Sequence, residues 1–376
     1  MLVESTDQYI VGVPQNNGAY FDGTYYWIFY QEATTLKCVY GTALSMMSQT
    51  GGNLVENVAN NGKSYSVVFG QLGGVYYAWV LVNRSATTSG EVSNVYRWEL
   101  TASGLGAVSS HIDAAGTDLL IGHSWLSKNP GSSITELLRC VSDVNLGDNS
   151  QISGALAGDT SAVDWNPASI TFPEHQLMFK LSDGYLGIAN NQGGEADSAN
   201  AYEVTKALIG DAWSGETALG WTDQSYATNT SHAGEQDFVQ LDNGIIYAAY
   251  IDDTNADYGS VIINKRGAAV AGTWSSVSTD ATGGNAWHIS LSTDGTNIWL
   301  AYCPDSGVGL RGTTLCYRKL TTSTDSIGSE TELAKIRAGF AFNRMTSALR
   351  SNEKIVVLWS EVFGARYDLC AAAINI

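Results

Sequence analysis

The sequence is poor in proline, in basic residues and in charged residues of any kind. It contains 5 Pro in 376 residues, and only 15% of its residues are charged. With 44% hydrophobic residues the chain can build a large core, which excludes an intrinsically disordered protein. Its 19 Lys and Arg stand against 37 Asp and Glu, a net charge of −18. This charge repels phosphate backbones and anionic headgroups, so we expect no nucleic-acid partner and disfavour a polyanionic substrate.

Cysteine pairs, long apolar runs and an export signal are also missing. The five cysteines, an odd number, form no Cys-x-x-Cys pair, which indicates reduced, buried thiols. No window approaches about 18 consecutive apolar residues, so we expect no membrane insertion. The N-terminal stretch MLVESTDQYIVGV lacks a basic segment followed by an apolar one, so we predict no secretory signal peptide.

Glycine and aromatic residues, by contrast, are abundant. The chain has 40 Gly, 11 Trp and 19 Tyr. Glycine allows the backbone conformations of tight turns, and aromatic residues favour strands. The combination therefore predicts an all-β protein made of many short strands.

One hairpin pattern recurs along the chain. In AWHISLSTDGTNIWLAYC (286–303) an apolar run is followed by a turn of Asp, Gly, Thr and Asn and then by a second apolar run. Six further segments repeat this pattern: 19–31, 66–82, 111–125, 177–190, 237–252 and 345–361. A third strand usually follows, as in LCYRKL (315–320). The repeat length of roughly 55 residues is typical of the four-stranded blades of a β-propeller.

Seven such units predict a single domain over residues 1–376, a seven-bladed β-propeller whose blades stack radially. We expect the N-terminal strand 7–13 to complete the last blade by pairing with the C-terminal strand 366–376, which closes the ring. Paired β-sandwiches would not give seven similar hairpins, and a parallel β-helix would repeat about every 20 to 25 residues. The predicted blades are 15–50, 60–103, 104–148, 165–215, 231–275, 283–325 and 337–376.

The order of polar residue, His, apolar strand, Asp-Gly turn, strand, loop and Tyr-Arg-Lys resembles the sialidase-like, BNR-repeat propeller superfamily. WHISLSTDGTNIWLAYC followed by LCYRKL carries this resemblance. Residues 292–299 are similar to the Asp box of that family, approximately S-x-D-x-G-x-x-W, but here the glycine directly follows Asp294. The turn also joins the first two strands of a blade instead of the last two. Sialidases of the superfamily use an arginine triad that no motif of this chain reproduces, so the resemblance implies the architecture and not the activity.

Residues that precede the inner strands of a propeller surround its central channel. Alignment of the hairpins by their turns puts His111, Asp237, His288 and Arg344 at equivalent positions. A base, an acid and a positive charge from separate blades are what proton transfer requires. These four are therefore the catalytic candidates if the protein is an enzyme. The alternative is that they are ordinary polar residues lining a water-filled channel.

Further polar and aromatic residues flank the same predicted channel mouth. Two carboxylates about 5–9 Å apart would indicate a glycosidase. The alternatives are a solvated acidic rim and, for the aromatic residues, packing between blades. The candidates for ligand binding are Tyr65, His232, Asp252, Asp305, Glu361 and Trp125.

The segment DTNADYG resembles a calcium-binding loop. Asp253, Asn255 and Asp257 supply alternate oxygen ligands, which suit Ca²⁺. The glycine comes one position late and no glutamate follows at the end of the loop, so an ordinary polar turn is the alternative. We expect no cofactor otherwise.

Three classes of function fit these features. We favour a non-enzymatic propeller that acts as a surface structural or glycan-recognition protein, because the chain shows no complete catalytic set. An acidic chain composed like an extracellular glycan binder, without an export signal, fits a tail, fibre or capsid-surface component of a phage or virus. We therefore expect a virion or extracellular location, and glycans or other surface proteins as partners. The alternatives are a glycan-cleaving enzyme, either a polysaccharide lyase or a glycoside hydrolase, and a protein-interaction scaffold.

Overall fold

The protein is all-β, as the sequence predicts. The computed structural model describes residues 1–7, 10–11, 16–58, 65–84, 92–113, 121–143, 150–156, 163–164, 176–191, 201–207, 217–218, 236–252, 259–305 and 312–376. These residues form thirty strands and contain no helix. Accordingly, nothing in this part of the chain is a helix that could span a membrane.

The strands form seven sheets, which we number in chain order. After the N-terminal strand β1 (Val3–Ser5), sheet 1 consists of β2 (Ala19–Phe21), β3 (Tyr26–Glu32), β4 (Thr35–Gly41) and β5 (Ser48–Glu56). Sheet 2 consists of β6 (Tyr65–Leu72), β7 (Val75–Arg84), β8 (Val92–Thr101), the short β9 (Gly104–Leu105) and β10 (Ser109–Asp113). Sheet 3 consists of β11 (Ile121–Lys128), β12 (Glu136–Asp143), β13 (Ser150–Leu156) and β14 (Val163–Asp164).

The remaining four sheets repeat this arrangement. Sheet 4 consists of β15 (Gln176–Lys180), β16 (Tyr185–Asn191), β17 (Ala201–Ala207) and β18 (Thr217–Ala218). Sheet 5 consists of β19 (Gln236–Gln240), β20 (Ile246–Asp252), β21 (Ser260–Arg266) and β22 (Trp274–Ser278). Sheet 6 consists of β23 (Ala286–Thr293), β24 (Ile298–Pro304), β25 (Thr314–Thr321), β26 (Ser326–Ile327) and β27 (Thr331–Lys335). Sheet 7 consists of β28 (Ala341–Ser347), β29 (Lys354–Phe363), β30 (Arg366–Asn375) and β1.

Six of the seven expected hairpins are present, and one is not. The pairs β2–β3, β6–β7, β15–β16, β19–β20, β23–β24 and β28–β29 fall on the predicted segments. Within 111–125, however, β10 pairs with β8 at the edge of sheet 2, whereas β11 pairs with β12 and begins sheet 3. His111 therefore lies on an outer strand and not on an inner one. Both segments are strand-like in sequence, and only their pairing partners distinguish the two positions.

The N-terminal strand lies earlier in the chain than predicted. Val3 of β1 is opposite Leu369 of β30, and Ser5 is opposite Tyr367. Of the predicted strand 7–13 the structure describes three residues, and none of them is in a strand. Two of the three, Ile10 and Val11, are fully buried between sheets 1 and 7. Consecutive side chains of a strand point to opposite faces, so two adjacent buried apolar residues do not fit an edge strand.

Apolar clusters lie between neighbouring sheets. Separate clusters join sheets 1 and 2, sheets 2 and 3, sheets 5 and 6, sheets 6 and 7, and sheets 7 and 1. Sheet 4 is linked to sheet 3 by the ion pair of Lys180 with Glu136, and to sheet 5 by a hydrogen bond from Gln240 Nε2 to Lys180 O. Contacts of these kinds join the neighbouring sheets, because a single sheet cannot bury both of its faces alone.

The hairpin turns of neighbouring sheets also meet one another. Asp242 N donates to Gly295 O at 2.9 Å, which joins the turns of sheets 5 and 6. Ser351 N donates to Thr293 O at 3.0 Å and joins sheets 7 and 6. We call the side of the molecule on which these turns lie the turn face, and the side on which the first strand of each sheet begins the start face.

Gly295 is a turn position that only glycine suits. Its φ is +96°, a conformation that side chains with a Cβ rarely adopt. A Cβ on Gly295 would also lie 2.4 to 2.6 Å from the carboxylate atoms of Asp242. The missing side chain thus lets the carboxylate of Asp242 sit against the neighbouring turn, where it contacts Arg350.

Candidate functional site

Asp237, one of the predicted catalytic residues, is fully buried at the beginning of β19. Its Oδ1 accepts a hydrogen bond from Phe238 N at 2.8 Å, and its Oδ2 accepts one from Leu291 N of sheet 6 at 2.7 Å. Burial raises the pKa of Asp237 to about 7, and the bonds from Leu291, Phe238 and Ser290 limit the rise. A carboxyl without solvent exposure, held by two backbone N–H groups, links sheets 5 and 6.

His288 lies at a β-bulge in β23, between Trp287 and Ile289. Its φ is +43°, in the left-handed region, which costs energy for a residue other than glycine. The half-buried imidazole lies 5.4 Å from the ring of Phe342 in sheet 7, measured between ring centroids. His288 therefore packs between two neighbouring sheets near the start face.

Arg344 follows a second bulge, between Phe342 and Arg344 in β28, and is opposite Ser360 of β29. It is half-buried. Neighbouring sheets 6 and 7 are thus both interrupted near the beginning of their first strands. Bulges re-aim side chains and are frequent next to active sites.

Two of the predicted ligand-binding residues serve the core instead. Tyr65 is almost completely buried, and its hydroxyl donates to Val11 O and Phe29 O, each at 3.3 Å. Glu361 is 2% exposed and accepts hydrogen bonds from Arg337 Nε at 2.6 Å and Trp359 Nε1 at 3.0 Å. The sequence predicts that both residues contact a ligand; in the structure both side chains are enclosed and bonded within the protein. Burial comes from the neighbouring sheet, which the local sequence does not specify.

The other predicted residues are spread over the molecule. Asp305 is half-buried and accepts a hydrogen bond from Trp287 Nε1 at 3.4 Å. Trp125 belongs to β11 and Asp252 to the end of β20. The described part of the chain contains no group of three metal-ligating side chains. The predicted candidates His232, Asp253, Asn255 and Asp257 lie outside the described residues.

A cavity of about 190 Å³ opens on the opposite side, at the turn face, and we call it the turn-face pocket. Three sheets and one loop build it. Sheet 1 contributes Tyr20 of β2, and sheet 2 contributes residues on both sides of the β6–β7 turn. Sheet 7 contributes the β28–β29 turn. Its walls include Tyr20, Phe69, Gln71, Tyr76, Ser132, Arg350 and Asn352.

Aromatic rings form one wall of the pocket. Tyr20 and Phe69 are stacked, with ring centroids 4.8 Å apart and planes 8° apart. The ring of Tyr76 is tilted against that of Tyr20, with the ring centroids 6.3 Å apart. Tyr76 is half-buried, so part of its ring faces outward. Both tyrosines lie beside hairpin turns, Tyr20 in sheet 1 and Tyr76 in sheet 2. Burial raises the pKa of Tyr20 far above its ordinary value, so its phenol stays neutral.

Polar groups form the other wall, and they are held in a fixed arrangement. Arg350 Nε and Nη2 each donate to the Asp242 carboxylate at 3.0 Å, and Nη1 donates to Asn352 Oδ1 at 2.6 Å. Asn352 Nδ2 in turn donates to the Tyr20 hydroxyl at 3.1 Å. The side chain of Arg350 is only 14% exposed. A bidentate pair of this kind fixes the plane of the guanidinium group.

A water-sized cavity of about 20 Å³ lies behind the pocket and shares Arg350 with it. Lys128 lines this cavity, is 8% exposed, and donates to Asn129 O at 3.1 Å. Burial, and to a smaller extent the charge of Arg350, lower the pKa of Lys128 to about 7, while the charge of Asp242 opposes the shift.

The turn-face pocket combines aromatic rings with hydrogen-bonding groups, as ligand-binding sites do. Its described wall residues include no Asp, Glu, His or Cys, the side chains that most often act as bases or nucleophiles. They do offer aromatic rings, amides and hydroxyls. Sequence analysis missed this pocket, although Arg350 is the only basic residue in the turns of the six hairpins that are present. That contrast was the available signal.

Known proteins are similar to this chain in fold and not in sequence. The sequence matches no family model, and no curated protein matches it. An ulvan lyase, a polysaccharide lyase, matches with a TM-score of 0.55 and 9% identity over 98% of this chain and 93% of that chain. The propeller domain of the trilobed protease from Pyrococcus furiosus matches with a TM-score of 0.50 and 9% identity over 95% and 97%.

The chain is a β-propeller. The NanB sialidase from Streptococcus pneumoniae is a further match, at a TM-score of 0.47 and 10% identity over 100% of this chain and 70% of that chain. The similarity to the ulvan lyase and to the propeller domain of the protease supports the propeller architecture that the sequence resemblance implies, and not the BNR-repeat group.

Proposed function

We propose that the seven sheets are the blades of one closed, seven-bladed propeller, and that it recognises a glycan at the turn-face pocket without cleaving it. The observation that carries this proposal is the make-up of the pocket. Tyrosine rings contact the apolar face of a sugar, while amide, hydroxyl and guanidinium groups bind its hydroxyls.

Two further features support the closed ring. Neighbouring sheets share buried clusters or polar links, and β1 pairs with β30. Pairing of strands from the two ends of the chain removes exposed edges, which a propeller otherwise has to protect.

The glycan class is supported by one of the similar folds. The ulvan lyase has also been solved bound to -[GlcA(1-4)Rha3S]-, with a TM-score of 0.56 and 9% identity over 100% of this chain and 94% of that chain. A propeller of this shape can therefore present a surface to a polysaccharide. The proposal for this chain rests on its own pocket.

A glycan array followed by titration calorimetry tests the proposal. The wild-type protein should bind a subset of the array, and Tyr76→Ala should weaken binding about ten-fold, because the half-exposed ring is the contact for a sugar face. The control is Tyr185→Ala. Tyr185 is also half-buried and directly follows a hairpin turn, but it lies in sheet 4. Absence of binding to any glycan, or equal loss in both variants, would contradict the proposal.

Glycan cleavage at the start face is the second candidate function. The adjacent bulges of sheets 6 and 7, with the strained His288 at one of them, favour it. Incubation with a panel of polysaccharides, read out by new reducing ends and by the ultraviolet absorbance of unsaturated products, tests it. Loss of turnover with retained binding in His288→Ala would support catalysis. A wild-type protein that cleaves no member of the panel would contradict it.

Location and partners follow from the function and remain predictions. A virion or cell-surface protein that binds glycans should be found by mass spectrometry in purified particles or in a surface fraction. Recovery of the protein only in the soluble cell extract would instead favour the protein-interaction scaffold.

A further inference from the structure

We propose that the turn-face pocket selects a neutral sugar ring and discriminates against acidic sugars. This inference rests on the proposed glycan recognition and names the chemical class of the ligand. It follows from the ion pair that Arg350 already forms with Asp242.

The positive charge of Arg350 is neutralised within the protein. Asp242 occupies one side of the guanidinium group with two hydrogen bonds of 3.0 Å. A carboxylate of a ligand on the same guanidinium would lie close to the Asp242 carboxylate and would be repelled by it. The attraction by Arg350 and the repulsion by Asp242 then largely cancel.

Charges of both signs surround the pocket. Asp22, at the turn that follows Tyr20, raises the pKa of the Tyr20 phenol after burial and Tyr76, while Arg350 lowers it, so the charge of Asp22 partly offsets that of Arg350 at the pocket wall. Lys128 is the only other basic side chain among the described residues that line the two cavities. It faces Arg350 and Asp242 from behind, and burial lowers its pKa to about 7, so it carries a partial charge near neutral pH. The net charge of −18 repels anions at longer range.

Arg350 nevertheless retains hydrogen-bonding capacity for an uncharged ligand. A guanidinium group has five N–H bonds. Three of them are used by Asp242 and Asn352, which leaves one N–H on each terminal nitrogen. Two donors at this spacing match two adjacent hydroxyl oxygens of a sugar.

The volume sets the size of the bound unit. A cavity of about 190 Å³ is smaller than the roughly 300–1,000 Å³ of pockets that hold drug-sized molecules. The pocket therefore takes one ring of a glycan, with the rest of the chain outside it.

The test compares matched pairs of ligands on the wild-type protein. The methyl glycosides of glucose, galactose and mannose are titrated beside the corresponding uronates, which differ only by a carboxylate at C6. The neutral member of the best-bound pair should bind at least about ten-fold more tightly. A uronate that binds equally well or better overturns the inference and leaves glycan recognition intact. If no sugar of either kind binds, the proposed function fails as well.

A charge variant tests the cause of the selectivity. Asp242→Asn removes the neutralising charge, so the uronate should gain at least about five-fold relative to its neutral partner. The control is Asp183→Asn, which removes the same charge from a turn of sheet 4, where Asp183 accepts a hydrogen bond from Val270 N at 2.8 Å. An unchanged preference in Asp242→Asn, with the protein folded by circular dichroism, would overturn the inference. If Asp242→Asn does not fold, the wild-type comparison decides alone.

Discussion

Leu291 N of sheet 6 donates a hydrogen bond of 2.7 Å to the carboxylate of Asp237 in sheet 5. The bond joins the first strands of two sheets at a point with no solvent exposure. Asp237, a catalytic candidate in the sequence if the protein is an enzyme, links two sheets in the structure. The ionisation of Asp237 should therefore change the free energy of unfolding, whether or not the residue has a role in catalysis.

Asp237 makes stability depend on pH in a direction opposite to that of most carboxylates. Burial raises its pKa to about 7 in the folded state, while in the unfolded chain it ionises near about 4. The folded protein thus holds more protons between about pH 4 and pH 7, and this contribution to the free energy of unfolding falls as pH rises through that window.

Asp237→Asn should alter this pH dependence. Both carboxylate oxygens accept a backbone N–H, and an amide has only one oxygen, so the variant should be less stable than the wild type by about 1–3 kcal/mol at pH 5. The deficit should shrink by pH 8, because only the wild type then buries a charge. Urea denaturation of the variant and the wild type at pH 5 and at pH 8 measures the difference in stability. An equal difference at the two pH values would contradict the raised pKa of Asp237.

Asp368 should stabilise the protein through a buried ion-pair network. It accepts hydrogen bonds from Arg366 and Arg337, and Arg337 also binds Glu361. Burial alone would raise the pKa of Asp368, but the two arginines outweigh it and lower the pKa. The stabilisation is then complete above the unfolded pKa of about 4 and is lost as pH falls through the folded pKa.

Replacement of Asp368 by Asn should therefore lower the free energy of unfolding by about 1–2 kcal/mol at pH 7, because the two arginines are 36% and 41% exposed and water screens the pairs. At pH 3 the difference from the wild type should be smaller. Thermal unfolding followed by circular dichroism at both pH values is the measurement. A variant with the wild-type melting temperature at pH 7 would show that the network contributes nothing.

Removal of residues 1–6 should destabilise the whole chain, because it deletes β1 and exposes the edge of β30. In a closed ring this edge belongs to the junction of the two chain ends, so unfolding should remain one transition at a lower melting temperature. The control is Glu4→Gln, which removes only the exposed pair with Arg366 and should cost less than about 1 kcal/mol. An unchanged melting temperature after the deletion would contradict closure by β1.

Lys128 should lower the free energy of unfolding near neutral pH. Its pKa is about 7 when folded and about 10.4 when unfolded, so the unfolded chain binds more protons between these values. Stability from this group therefore increases as pH rises from about 7 to 10. Lys128→Met should be more stable than the wild type at pH 7, by up to a few kcal/mol, and should lose this pH dependence. If the free energies of unfolding of the wild type and of Lys128→Met changed equally with pH, the lowered pKa of Lys128 would be refuted.

Much of the fold could be read from local sequence. The turn around Asp294 and Gly295 and the apolar runs beside it specify a hairpin, since the turn geometry and the alternation of side chains are properties of neighbouring residues. The six hairpins that are present were predicted on this basis. The segment 111–125 failed because an outer strand and an inner strand have the same local pattern. Their partners are set by segments far away in the chain.

By itself, the sequence determined the all-β class, the repeated hairpins and an acidic surface, because each of these depends on composition or on residues close in the chain. Tertiary structure decided which polar residues reach solvent. It buried Tyr65, Asp237 and Glu361 between sheets, and it brought Tyr20, Tyr76 and Arg350 together around one cavity. These three lie in different sheets, up to 330 positions apart. Only the packing of separate sheets sets the distance between such residues, so no local pattern could show that these three line the same pocket.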